Sequence, residues 1–265
     1  MCGIVIKNGG DSVKIAYAGF DLFYPVLENL YNNGCEIAKI FTNKVDNITE
    51  FNTKVCNFAH THSIPLTFEK ITSDDLHSLK KAGVDALFCA AYYYRIPVTA
   101  DFPMINVHPS LLPQGRGAWP MPVYILNDIK TAGVTFHKMA EDFDNGDIIM
   151  QKSFELRNND NHDTFIQKVY TLLPDMISDL LNNFDSYYSN AWAQIGGEYW
   201  ECPDEDSYII TKDTAFSEAD KILRAFYGFY ITYYDGEKNH RLLRSKAYKG
   251  DNKNEKFKII GGYIK

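Results

Sequence analysis

The sequence predicts an α/β protein with a mainly parallel sheet, followed by a small β-rich unit. Three observations support this. Strand-like and helix-like segments alternate over roughly the first 180 residues, the pattern of strands joined by crossover helices. Val84–Ala91 is an unbroken apolar run, as expected of a strand covered on both faces. Past Gly196–Asp206, where Gly-Gly, Pro and acidic residues cluster, the spacing changes to short β-rich segments. The sheet is therefore expected to be Rossmann-like, with residues 1–195 as the main domain, 196–206 as a linker and 207–265 as a small C-terminal domain.

The elements follow in order. Lys14–Ala18 reads as the first strand, ended by Gly19, with a helix over Pro25–Asn33. Glu36–Thr42 is a second strand, and a helix should cover much of Ile48–His62. Asp74–Ala82 opens on an acid suited to an N-cap and should be helical. Met104–His108 is a short strand entering the proline-bounded loop Pro109–Pro113. Val134–Met139 and Ile148–Leu156 read as a strand pair joined through Glu141–Asp147, and His162–Asn183 has helical spacing. In the last part, a helix over Ser217–Phe226 precedes strands around Tyr230–Tyr234, Arg241–Tyr248 and Phe257–Ile264, with Asp235-Gly236 as a hairpin signal.

Composition excludes several classes. At 45% apolar and 14% aromatic, the 265 residues can bury a full core and are not a disordered chain. No run approaches the ~18 apolar residues of a membrane span, and no secretory signal opens the chain. The five cysteines are scattered and form no C-x-x-C, which points to a reducing cytoplasm. Net charge is −7, yet Ser207–Lys265 holds 12 basic against 7 acidic residues. That tail reads first as a solvated surface, and otherwise as a meeting place for an anionic substrate or nucleic acid. His60-x-His62 diverge on a helix, so no metal is expected. Met1-Cys2-Gly3-Ile4 resembles the start of amidotransferases with an N-terminal cysteine nucleophile, but the first strand follows too soon for that domain. The first strand–helix turn, Ala18–Phe23, lacks the G-x-G-x-x-G of a dinucleotide site.

Chemistry concentrates in two places. In a strand Asn106 and His108 point to one face, at the strand end where open α/β sheets place ligands. An amide donor beside an imidazole can stabilise an oxyanion and handle a proton, although a buried structural pair has the same spacing. Phe143-Asp144-Asn145-Gly146-Asp147 is either a plain turn or a turn presenting an aspartate to His108.

Taken together, Ile105-Asn-Val-His-Pro-Ser-Leu-Leu-Pro-Gln-Gly-Arg-Gly117, Gly133-Val-Thr-Phe-His-Lys-Met139 and Asp144-Asn-Gly-Asp-Ile-Ile149 resemble the folate-dependent formyltransferases. That family includes methionyl-tRNA formyltransferase and the sugar N-formyltransferases. Leu223-Arg-Ala-Phe226 is similar to the start of the C-terminal region of its methionyl-tRNA formyltransferase-like members. The resemblance implies the formyltransferase fold and a catalytic trio of Asn106, His108 and Asp144. N10-formyltetrahydrofolate would be the co-substrate and a primary amine the nucleophile. It further implies that the pterin lies near Ala90, Ala91, Tyr92, Ile96 and Asp147. Ser110, Leu111, Leu112, Pro113, Arg116 and Gly117 would line the folate and acceptor site.

For the acceptor, Phe41-Thr-Asn-Lys-Val-Asp-Asn-Ile48 stands where methionyl-tRNA formyltransferases carry a basic loop, and it has a single lysine. The C-terminal part is shorter than a full tRNA-binding barrel. A small amine, favourably a nucleotide-linked amino sugar, is therefore expected, with methionyl-tRNA as the alternative. Formyltetrahydrofolate hydrolase, which normally has an N-terminal regulatory domain, and a non-catalytic folate-binding protein rank below both. The aromatic stretch Phe226–Tyr234 reads either as a homodimer surface or as packing within its own domain.

Overall fold

The computed structural model describes residues 12–250, 257–261 and 263–264, so the Met1–Ile4 motif lies outside the described residues. The chain groups into two compact units. One runs to Arg116 and takes in Gly133–Lys152 and Val169–Glu198; the other comprises Gly117–Ala132, Ser153–Lys168 and the chain from Tyr199 onward.

In the first unit, strand β1 (Lys14–Gly19) is buried from Ile15 onward. A single 3-10 turn, Asp21–Phe23, leads into helix α1 (Tyr24–Asn32), which has a proline in its first turn and buries Val26, Leu27 and Leu30. Strand β2 (Glu36–Phe41) follows, then α2 (Thr53–Thr61), β3 (Leu66–Thr67) and α3 (Ser73–Lys81). Helix α2 starts later than expected because the Asp46 carboxylate accepts the backbone N–H groups of Ile48, Thr49 and Glu50, which closes a separate turn. Helix α3 is capped by Thr72, not Asp74. The Thr72 hydroxyl accepts from the Asp75 N–H, and the Asp75 carboxylate accepts from the Thr72 N–H. His62, at the end of α2, packs its ring 4.4 Å from both Tyr31 and Phe58.

Strand β4 (Ala86–Ala90) is buried throughout, as its apolar run predicts, and β5 spans Met104–His108. A short strand β6 (Gln114–Arg116) and helix α4 (Pro120–Leu126) were not expected from the sequence. The chain continues through β7 (Thr131–Lys138), β8 (Ile148–Glu155), the long helix α5 (His162–Asn182) and α6 (Phe184–Ser189). The large sheet has the order β3-β2-β1-β4-β5-β7-β8. Strands β3, β2, β1, β4 and β5 pair in parallel, and β7 is antiparallel to β5. The chain reverses its direction of travel across the sheet between β1 and β4, so the crevice beyond their carboxyl ends is where a ligand is expected. There the strands approach closely: a Cβ on Gly19 would lie 2.1 Å from the Ala90 carbonyl oxygen.

The second unit contains strands β9 (Glu198–Tyr199, at its boundary), β10 (Ile209–Thr211), β11 (Ile231–Tyr234), β12 (Asn239–Leu242), β13 (Lys246–Lys249), β14 (Phe257–Ile260) and β15 (Tyr263–Ile264). Its helix α7 (Phe216–Ala225) buries Ala219, Ile222, Leu223 and Ala225 in a core with Ile125, Ile210, Phe226, Ile231 and Leu242. The strands form a four-stranded sheet, β10-β11-β12-β15, and a β13–β14 pair. The Asp235-Gly236 turn is present, with the Asp235 carboxylate accepting from the N–H groups of Glu237 and Lys238. The strand expected over Arg241–Tyr248 is two strands, interrupted where Arg244 adopts φ 54°. Phe226 is fully buried in this unit's own core. Among the described residues no helix is long and apolar enough to cross a membrane.

Candidate active site

Asn106 and His108 end β5 on one face, as period two requires. The β5–β7 register sets His137 opposite Asn106 and Thr135 opposite His108. Asp144 arrives from the loop after β7 in a left-handed conformation (φ 54°), which aspartate tolerates better than most residues. The tight return depends on Gly146, where a Cβ would lie 1.8 Å from the Lys138 carbonyl oxygen. The three sequence-predicted residues therefore meet. Asn106 Nδ2 donates to Asp144 Oδ1 at 3.1 Å, and His108 Nδ1 stands 3.6 Å from the same oxygen. Both side chains of the His108–Asp144 pair are nearly out of solvent, at 6% and 10% exposure.

His137 joins them, a residue sequence reasoning did not single out. Its Nε2 lies 3.1 Å from Asn106 Nδ2 and 3.4 Å from Asp144 Oδ1. Its signal was available in the Gly133–Met139 motif, where Thr135 and His137 share a strand face, but its meaning depends on the antiparallel register.

Hydrogen bonds to carbonyls define both tautomers, because a carbonyl can only accept. His108 Nε2 donates to the Gly115 carbonyl at 2.7 Å, which leaves the Nδ1 lone pair facing Asp144. His137 Nδ1 donates to the Lys138 carbonyl at 2.8 Å, so its Nε2 accepts from the Asn106 amide. It is thus the Gly115 carbonyl that sets the His108 tautomer. Burial holds the His108 imidazole below its usual range and outweighs the opposing pull of Asp144 and of the Gly115 carbonyl; His137 lowers it further. Cys89 pairs in register with Asn106, but burial, and then the Asp144 charge, push its thiol up to about 12. It is no thiolate nucleophile.

The other predicted residues have varied surroundings. Ala90 ends β4 and is buried, Ala91 turns left-handed (φ 57°), and Ile96 is buried. The Tyr92 hydroxyl donates to the Glu69 carbonyl. The Ser110–Pro113 loop is fastened by Thr135, whose hydroxyl donates to the Ser110 carbonyl and accepts from the Leu112 N–H. Leu112 is buried and Leu111 and Pro113 half-buried. Arg116 donates from Nε to Gln194 Oε1 and from Nη2 to the Gly196 carbonyl, both at 2.9 Å. Asp147 is half-exposed beside Lys138, at 3.4 Å. Gly117 falls in the other unit, beside Trp200. Among the described residues no three His, Cys, Asp or Glu side chains converge as metal ligands.

Known proteins resemble the chain in sequence and in fold. The family model described as formyl transferase matches residues 16–181. A methionyl-tRNA formyltransferase of Ehrlichia ruminantium (strain Welgevonden) is 31% identical over 208 residues, 76% of this chain and 67% of the relative. Among solved structures, WlaRD, a sugar 3N-formyl transferase crystallised with dTDP and 5-N-formyl-THF, aligns with TM-score 0.65 at 20% identity. That match covers 96% of this chain and 99% of that one. HypX from Aquifex aeolicus, in complex with tetrahydrofolic acid, aligns with TM-score 0.70 at 13% identity over 90% of this chain. The chain spans only 39% of HypX. These low-identity likenesses show the shared fold. With the family match extending from β1 to nearly the end of α5, the chain belongs to the formyl transferase family and is a formyl-transferring enzyme.

Proposed function

We propose that the chain transfers a formyl group from N10-formyltetrahydrofolate to a primary amine, with Asn106, His108 and Asp144 as the catalytic residues. The observation that supports this best is the convergence of His108 Nδ1, His137 Nε2 and the Asn106 amide on one carboxylate oxygen, Asp144 Oδ1, at the end of the central strands. A neutral amine brings N–H hydrogens to such a site. As its nitrogen attacks the formyl carbon, the carbonyl oxygen becomes an oxyanion and one N–H proton must leave. Asp144 takes that proton, directly or through water, and shares it with His108 Nδ1. The imidazolium so formed keeps its Nε2 hydrogen on Gly115 and is stabilised by the carboxylate. Asn106 donates to the oxyanion by giving up its bond to neutral His137, weaker than its charge-assisted bond to Asp144. Collapse of the intermediate breaks the bond from carbon to N10, and the proton passes to N10. Ala90, Ala91, Tyr92, Ile96 and Asp147 are assigned to the pterin side, and the Ser110–Pro113 loop to the folate and acceptor side.

For the acceptor we favour a small anionic amine, a nucleotide-linked amino sugar. The segment after β2 has one lysine, Lys44, where a tRNA acceptor stem would need several phosphate contacts. The likeness to WlaRD supports the same reading. Methionyl-tRNA is the second reading, favoured by the curated relatives. The test is tetrahydrofolate release from N10-formyltetrahydrofolate in the presence of methionyl-tRNA or a panel of amino-sugar nucleotides. Release dependent on an amino-sugar nucleotide supports the proposal. Release dependent on methionyl-tRNA alone overturns the acceptor assignment, and release only at the rate of water attack overturns transfer itself.

A further inference from the structure

Asp144 works only if its loop is held, and the residue that holds it comes from a distant segment. The Gln194 side-chain amide donates to the Asp144 carbonyl and to the Gly146 carbonyl, each at 2.7 Å. Both amide hydrogens are thus directed at the two backbone oxygens that flank Asn145. An unrestrained glutamine amide could flip and present oxygen to those carbonyls. Here Arg116 prevents that by donating from Nε to Gln194 Oε1, while its Nη2 reaches the Gly196 carbonyl two residues on. The guanidinium therefore fixes both the orientation of the amide and the backbone behind it.

Arg116 follows Gly115, whose carbonyl accepts the His108 Nε2 hydrogen. Strand β6 accordingly holds both members of the acid–base pair: His108 directly through the Gly115 carbonyl, and Asp144 through Arg116 and Gln194. The 3.6 Å between His108 Nδ1 and Asp144 Oδ1 depends on those two attachments. We propose that Gln194 is a positioning residue that sets Asp144 against His108, and that Arg116 serves the reaction by orienting Gln194. This rests on the formyl-transfer reading above.

Gln194→Glu tests it. A carboxylate still accepts from Arg116 but offers oxygen to the Asp144 and Gly146 carbonyls, so the clamp becomes a repulsion. Displacing a reacting group by about 1 Å can lower turnover about 10²-fold. The expected result, with whichever acceptor drives tetrahydrofolate release or with water, is a fall in kcat of about 10- to 100-fold and a KM for N10-formyltetrahydrofolate within about 3-fold of wild type. In an Asp144→Asn background the same substitution should change kcat by less than about 3-fold, because the group being positioned is already disabled. Arg116→Met should lose a similar factor, and the Arg116→Met/Gln194→Glu pair no more than either alone. A merely structural glutamine would instead lower both backgrounds equally. Equal losses with and without Asp144, or unchanged kcat with a raised folate KM, overturn the inference. If Gln194→Glu does not fold, as judged by circular dichroism, Arg116→Met with and without Asp144→Asn decides by the same criterion. A wild-type chain that turns over no N10-formyltetrahydrofolate, even with water, removes the transfer reading and this inference with it. An active wild type with a neutral Gln194→Glu removes only the inference.

Discussion

Acid should destabilise the second unit through one histidine. His162 is 3% exposed, accepts a hydrogen bond at Nε2 from the Trp119 indole N–H at 3.3 Å, and packs 5.1 Å from the Phe229 ring. Burial, and then the Arg244 charge, bring its pKa down from 6.5 to about 4. Its folded-state pKa thus lies below the unfolded value, so between those values the unfolded chain binds the extra proton. Stability is complete above about pH 6.5 and falls as pH drops to about 4. At 1.36 kcal/mol per unit, a shift of roughly 2.5 units amounts to about 3 kcal/mol, a sizeable part of the ~5–15 kcal/mol that holds a typical domain. The assay is urea unfolding by circular dichroism at pH 8, 7, 6, 5 and 4, for wild type and His162→Gln. The glutamine can still accept from Trp119 but does not titrate. Wild type should lose about 3 kcal/mol more than the variant over this range, a difference that cancels His108 and the carboxylates common to both. Parallel curves would refute the reasoning.

Asn106→Ala, His108→Ala and Asp144→Asn should each lower kcat about 10²-fold or more with the unfolding midpoint near that of wild type, measured as tetrahydrofolate release. Gly146→Ala, whose methyl would meet the Lys138 carbonyl, should displace Asp144 and reduce turnover by a comparable factor; wild-type activity would show that the loop relaxes freely. Thr72→Ala removes one half of the α3 capping box and should lower stability by about 1 kcal/mol without affecting kcat. With an amino-sugar nucleotide as acceptor, log KM should rise only shallowly with log salt, whereas a tRNA held by many phosphate contacts would give a steep slope.

What was legible in the sequence was local or periodic. The Val84–Ala91 run marks a central strand because such a strand is covered on both faces, and β5 has the expected bounds, Met104–His108. Asp144 was legible through its motif, and the Asp235-Gly236 turn through its chemistry. The cap of α3 was misjudged by two residues because several polar residues there could cap, and the reciprocal Thr72–Asp75 pair wins by making two bonds. The break at Arg244 depends on a left-handed arginine that no local signal announces. His137 acquires its role from a cross-strand register, and Gly115 acts through a backbone carbonyl that every residue type possesses. Gln194 lies 50 positions from the loop it holds. Non-local contacts of ordinary groups are what single-sequence reading lacks.

The charge arrangement explains why two histidines and one asparagine share a pocket with a single carboxylate. Were either imidazole the other tautomer, its N–H would donate to Asp144, and the carboxylate, with one more donor, would be a weaker base. The Gly115 and Lys138 carbonyls prevent this by taking those hydrogens, so both rings present lone pairs toward Asp144. Asn106 supplies a donor to both, dividing its two amide hydrogens between Asp144 and His137. The result is an acceptor-rich cluster with little access to water, in which an added proton would have several acceptors close by. Such a cluster is poorly matched to a substrate that offers only lone pairs. It is well matched to an amine, which arrives with the hydrogens the cluster accepts and departs, formylated, with one fewer.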